Sequence, residues 1–185
     1  SFVDREDIMA LAEDMFTTFV QEHLPDKRIL SIPWPRLTYQ EAMDRYGKDN
    51  PDIRFGLELK NITDLVVNSG FKVFDQAVAS GGHVRGINAK GLGDYSRKQI
   101  DELNDFAQGL GAKGLAYLAI TSTGEQRSSF SKFLQPATLQ AIVDRLEAQP
   151  GDLLLFVADK PAVVYEVLGR LRVHLGDILK LRDPD

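Results

Sequence analysis

Three groups of residues have types and spacings that could do chemistry. Asp44, Asp49 and Asp52 gather around the Asn50-Pro51 turn together with Arg45, Lys48 and Arg54. Such a set could be a carboxylate site for acid–base work, or a salt-bridged junction. The second reading has the weight, because general acid–base catalysis needs a carboxylate with a shifted pKa and nothing in the sequence shows one buried. Gly91-Leu-Gly93, followed by Ser96, Arg97 and Lys98 and preceded by Lys90, sets a flexible loop and cations at a helix N-terminus. Backbone N–H groups and the helix dipole favour anions there, so a phosphate could dock. The alternative is a plain connector carrying solvated charges. Gly109-Leu-Gly111-Ala-Lys-Gly114 fits G-x-G-x-x-G, but a dinucleotide fingerprint must follow a strand and open a helix. Here the order is helix then strand, which makes this a helix-to-strand turn.

Other chemistries are excluded by what is missing. His23, His83 and His174 lie far apart, and none has a second ligand at a metal-binding spacing such as H-E-x-x-H. There is no G-x-S-x-G elbow and no G-x-x-x-x-G-K-[ST] loop. The chain has no cysteine, hence no disulfide and no thiolate cluster. A net charge of −5 argues against a protein that coats nucleic acid, although a local basic patch remains compatible with it. With 185 residues and 43% hydrophobic content a real core is expected. No apolar run reaches transmembrane length and no signal-peptide pattern is found, so the default expectation is a cytoplasmic protein without a membrane partner. The opening Ser1-Phe2-Val3, without methionine, suggests a piece of something longer.

The elements that must position these groups are centred on residues 96–120. Ser96 and Gln99 form a capping box, and Ile100, Leu103, Phe106, Ala107 and Leu110 recur at helical spacing. The LAYLAI run that follows is apolar on both alternating sets, as in a strand inside a sheet. Upstream, Asp4 or Asp7 caps a helix with the stripe Ile8, Leu11, Ala12, Met15, Phe16, Phe19 and Val20, which something must cover. A proline-rich connector holding the only tryptophan follows. Thr38 and Glu41 then box the short helix YQEAMDRY, which Gly47 ends. Downstream, a short helix is expected near 63–68, and FKVFDQAV and HVRGINA read as a strand hairpin across Ser80-Gly81-Gly82. TSTGEQRSS reads as a polar loop. A helix over 137–147 is broken by Pro150-Gly151; DLLLFVA is a second fully apolar strand; and a last helix starts near Pro161. The order from Phe71 is then β-β-α-β-α-β-α. That predicts an α+β, two-layer sandwich with a mainly antiparallel four-stranded sheet and helices on one face.

Six stretches carry a resemblance: SFVDREDIM, LTYQEAMDRYGKDNPDIRFGLEL, SRKQIDELNDFAQGLGAKGLAY, SKFL, PGDLLLFVADK and LGRLRVHLGDIL. In this order they resemble bacterial-type aspartyl-tRNA synthetases, and the later ones resemble the GAD domain. In that family this domain interrupts the catalytic core and is similar to a module of an amidotransferase subunit that acts on charged tRNA. The resemblance implies that residues 1–50 are a helical strip and linker of the class II core and 51–185 the insertion. It also implies that motif 2 would lie before SFVD and motif 3 after LRDPD, so no catalytic, cofactor or metal residue is carried over. ATP and Mg would serve the parent and none this piece. The implied partners are the rest of the synthetase, tRNA, and a second parent subunit in a homodimer. The candidate tRNA phosphate contacts are Lys90, Arg97 and Lys98, with Lys113 and Lys132 as further candidates whose facing depends on the sheet order. Two other classes stay open, a self-contained small enzyme using Asp49, Asp52 and Arg54, and a protein-interaction module.

Overall fold

The computed structural model describes residues 3–182. Helix α1 (Arg5–His23) is opened by a capping box in which Asp4 and Asp7 bond reciprocally to each other's backbone N–H. Its stripe is not covered, since none of its residues is buried and Leu11 is 70% exposed. What holds α1 is the connector: Trp34 N–H donates to Glu13 at 2.8 Å and its ring stacks on Phe16. Helix α2 (Tyr39–Tyr46) has the expected Thr38/Glu41 box and ends at Gly47 with φ 71°. It packs on the last helix, with Ala42 and Tyr46 buried, so the packed body reaches back to α2.

Strand β1 (Lys60–Asn61), helix α3 (Lys72–Ala79), strand β2 (His83–Ala89), helix α4 (Arg97–Gly109), strands β3 (Ala116–Ile120) and β4 (Gln126–Ser128), helix α5 (Pro136–Arg145), strand β5 (Leu153–Asp159) and helix α6 (Pro161–Ile178) complete the chain. The class is α+β, and the five strands lie in the order β1-β2-β5-β3-β4 with every pairing antiparallel. The sheet thus has one strand more than the four expected. Helices also lie on both of its faces rather than one. Ile87, Leu153, Leu155 and Val157 pack with Ile100 and Leu103 of α4 and with Val164, Leu168, Leu171 and Leu175 of α6. On the opposite face Val84, Leu118, Leu154 and Phe156 pack with Phe74 of α3 and Ile142 of α5. A sheet wet on neither face needs apolar residues at both alternating sets, and that is why β3 and β5 read as unbroken apolar runs.

Three local expectations are corrected. FKVFDQAV is helix α3, so no hairpin joins it to β2. Phe71, Phe74, Ala77 and Val78 fall on one helical face against the sheet, and Asp75 accepts the N–H groups of Ser69 (2.8 Å) and Gly70 (3.0 Å) ahead of the helix. The alternation of bulky residues that suggested a strand is also compatible with that face. The polar loop after β3 contains β4, paired Leu118↔Ser128 to Ile120↔Gln126 around a turn in which Gly124 takes φ 86°. Being a short, polar edge strand, β4 shows no alternation to read. Strand β1 is only two residues long, and its neighbour 63–65 is a single 3-10 turn. The remaining expectations, α1, α2, α4, α5, α6, β2, β3 and β5, match the observed elements to within a few residues.

Candidate functional site

The Lys90–Lys98 region is built by β2 handing over to α4. Gly91 N–H donates to the Asp152 carboxylate (3.2 Å) and Gly93 N–H to Gly151 O (2.7 Å). A Cβ on Gly93 would run into the backbone of Ile120 and Gly151, which is why glycine stands there. At the helix start Ser96 Oγ accepts Gln99 N–H (3.3 Å) while the Gln99 side chain accepts Ser96 N–H (2.9 Å). The amides of Gly91, Gly93, Ser96 and Gln99, four donors that could have cradled a phosphate, are therefore committed within the fold. What this region offers an anion beyond the first-turn amides of α4 is side chains. Lys90 is exposed, Arg97 bonds Asp101 at 3.0 Å with 77% of its side chain in solvent, and Lys98 stands 4.0 Å from Glu102 with 87% exposed. Exposed i,i+4 pairs of this kind are weak because solvent screens them, so these cations can exchange a carboxylate for a phosphate at small cost.

The carboxylates around Pro51 do not converge. Asp52 is held by Arg54 at 2.9 and 2.7 Å, with Arg182 at 3.9 Å, and the Arg54 hydrogen bonds keep its carboxyl below the ordinary range. Arg45 chelates Glu58 at 3.0 and 2.7 Å, which depresses Glu58 likewise. Asp44 turns the other way, accepting from Tyr165 Oη (2.7 Å), from Gln40 (2.9 Å) and from Arg85. Burial alone would raise Asp44, but these bonds and the Arg85 charge outweigh it and lower its pKa. Carboxylates held ionised by arginine are poor general acids. The arrangement is that of a salt-bridged junction.

Gly109, Gly111 and Gly114 form the helix-to-strand turn, with φ +99° at Gly111 and +157° at Gly114. The histidines are dispersed: His23 lies against Phe19, His83 is edge-on to Tyr165, and His174 stacks on Phe106 at 4.3 Å. No group of three His, Asp or Glu side chains able to hold a metal occurs among the described residues.

Two buried arginines escaped the sequence reading. Arg85 (6% exposed) links β2 to α2 through Asp44, bonding both its carboxylate and its main-chain oxygen, the latter at 2.9 Å. Arg172 (1% exposed) lies between the rings of Phe55 and Tyr46, with its guanidinium carbon 4.0 and 4.7 Å from their centroids. It donates to Phe55 O (2.6 Å) and Gly56 O (3.0 Å), tying the junction segment to α6. The available signal was a cation inside an otherwise apolar strand or stripe, and such a residue must find internal partners.

A family model described as the GAD domain matches residues 74–168. The aspartate–tRNA(Asp/Asn) ligase of Symbiobacterium thermophilum is 54% identical over 184 residues, covering 100% of this chain and 31% of that protein. The aspartate–tRNA(Asp/Asn) ligase of Moorella thermoacetica is 51% identical over 185 residues, 100% of this chain and 30% of its own length. The aspartate–tRNA ligase of Ruminiclostridium cellulolyticum is 46% identical over 185 residues, 100% and 31%. The chain thus spans about a third of the length of these relatives. With half of its residues inside that match, folded as one sheet between two helical layers, the chain belongs to the GAD domain family.

Proposed function

We propose that this chain is the insertion region of an aspartate–tRNA ligase, whose whole protein joins aspartate to ATP and passes the aspartyl group to the tRNA 3′ end. The observation that carries this reading is identity of about half along all 185 residues to ligases that bear that name. On this reading residues 1–50 belong to the class II core and 51–185 to the insertion. ATP and Mg serve the core, the parent is a cytoplasmic homodimer, and this piece supplies scaffolding with a weak tRNA contact through Lys90, Arg97 and Lys98. Among the described residues no helix is long and apolar enough to cross a membrane. The competing reading, an enzyme using Asp49, Asp52 and Arg54, is disfavoured by the bidentate closure of Asp52 on Arg54.

The tRNA contact is tested by measuring affinity against salt for the parent chain and for Arg97→Ala/Lys98→Ala. Each phosphate neutralised contributes a slope of about 0.7–0.9 in log K against log salt, so the double variant should lose up to about 1.8 of the slope and bind more weakly. Identical binding by both chains at low salt would remove these residues from the interface. The non-catalytic assignment is tested by aspartate-dependent pyrophosphate exchange, expected to stay at the buffer blank. A rate clearly above the blank would make the chain an enzyme in its own right.

A further inference from the structure

A cavity of about 250 Å³ opens at the end of the sheet where β3 and β5 part. Its walls are Phe71, Val73 and Ala77 on the α3 side and Leu115, Ala116 and Ala158 on the sheet side. The Phe71 wall is braced edge-on by Phe74 at 4.9 Å and continues outward to Phe133 at 5.5 Å. Val73 and Phe133 are 47% and 46% exposed, so the apolar surface runs from the cavity onto the outside of the molecule.

The sheet leaves a backbone donor and acceptor free at this place. In an antiparallel ladder, alternate residues turn their N–H and C=O groups to opposite neighbours. Ile120 N–H bonds Asp152 O, so the even-numbered residues of β5 face β3. The ladder between them ends at Ala116↔Phe156, whereas β5 continues beside β2 as far as His83↔Asp159. The next even residue, Ala158, therefore presents its N–H and C=O to the gap beside Gly114, and no hydrogen bond among the described residues uses them. Charge around the opening runs against the net −5 of the chain. Lys113 lines the cavity with 84% of its side chain exposed and makes an ion pair at 3.5 Å with Asp159, which also lines it, and Lys132 lies over the Phe133 ring. Lys72 is exposed next to Val73. The other nearby acid, Asp75, is occupied with the Ser69 and Gly70 amides.

We propose that this cavity docks an acidic peptide segment of a partner protein, with one apolar side chain in the cavity, its main chain paired to Ala158, and flanking carboxylates on Lys113 and Lys132. Apolar walls beside a free strand edge are the chemistry that recognises extended main chain, and a lysine rim selects acidic flanks and makes the contact sensitive to salt. This site is separate from the Lys90–Lys98 surface.

The test titrates the full isotope-labelled chain with blocked peptides carrying Leu, Phe or Val at the centre and glutamates on both sides. Controls have alanine at the centre or lysines at the flanks. At least one Glu-flanked peptide should give saturable amide shifts centred on Gln76, Gly114, Leu115 and Ala158, and its alanine and lysine controls should not. Val73→Asp, at an exposed position, should abolish the shifts. Lys113→Glu/Lys132→Glu should weaken binding by about tenfold or more, as expected when two charge-assisted contacts are lost. Both variants are to be checked for the parent melting temperature. The proposal is overturned if none of the three peptides shifts these amides, if the lysine-flanked control binds as well, or if a folded Val73→Asp chain binds as the parent does. Shifts of the same amides on simple dilution, or with tRNA but no peptide, would give the surface to self-association or to RNA instead, and would overturn it too.

Discussion

Residues that a sequence shows as surface charges become structural when burial leaves them no water to bind. Asp44 illustrates this, because its carboxylate is the common acceptor for Tyr165, Gln40 and Arg85, and the last of these has almost no other outlet. Its pKa is depressed in the fold, so between the folded and unfolded values the unfolded chain binds the extra proton. The stabilisation is then complete above the ordinary carboxylate range and fades as the pH falls through the folded value. Asp44→Asn keeps the shape but not the charge. It should cost about 1.5 kcal/mol at neutral pH, the low end for hydrogen bonds to a charged group, because the carboxylate is partly solvated. The difference from the parent should shrink on acidification. Urea midpoints across the acid range check both, and a deficit independent of pH would mean that the Asp44 charge is not what holds Arg85.

At the scale of elements, α2 and α6 cross at close backbone approach, where two glycines face each other. A Cβ on Gly169 would lie 2.9 Å from Gly47 O, and one on Gly47 would meet Tyr165 O at 2.5 Å. Gly47 also needs φ 71° to end α2. Alanine is normally the better residue inside a helix, by about 1 kcal/mol. Here the clash is with backbone, which cannot rotate away, so Gly169→Ala should destabilise by about 2 kcal/mol as overpacking does. Gly109→Ala in α4 is the control, because nothing lies within 4 Å of that Cβ, and it should be neutral or stabilise by a few tenths of a kcal/mol. Denaturant midpoints with unchanged m-values check the pair. A harmless Gly169→Ala would show that the α2–α6 crossing has slack.

For the molecule as a whole, two parts differ in how they are held. The five-stranded sheet is buried on both faces by α3, α4, α5 and α6, whereas α1 touches little beyond Trp34 and Arg36 of its own connector and leaves Ile8, Leu11, Met15, Phe16 and Phe19 at least half exposed. Opening α1 breaks few apolar contacts. Amides of α1 should therefore exchange orders of magnitude faster than those of β5 and α4, as expected of segments at the low-stability end of a fold. Hydrogen exchange on the monomeric chain measures this, and equal protection would make α1 part of the packed body. A core that covered the stripe would slow exchange in α1 selectively.

How much was legible followed from the range of the forces involved. The capping boxes at Thr38 and Ser96 are contacts three residues long and were found as read, and the cap expected at Asp4 or Asp7 is a box that uses both. The unbroken apolar runs of β3 and β5 and the stripes of α4, α5 and α6 report burial directly, which fixed the class and most elements, and the six quoted stretches carried the family. Segment 71–78 was misread because eight residues with bulky groups at several spacings satisfy either period, and the choice was made by the sheet face that Phe74 and Ala77 had to cover. Strands β1 and β4 exist only through their partners. The loss of the Gly91–Gly93 cradle, the burial of Arg85 and Arg172, and the gap at Ala158 depend on which distant segments meet. The sequence by itself determined local hydrogen bonding and the pattern of burial, because those are set by neighbours along the chain. Tertiary structure alone decided which donors, charges and strand edges were left free, because that is settled only when segments far apart in sequence compete for the same partner.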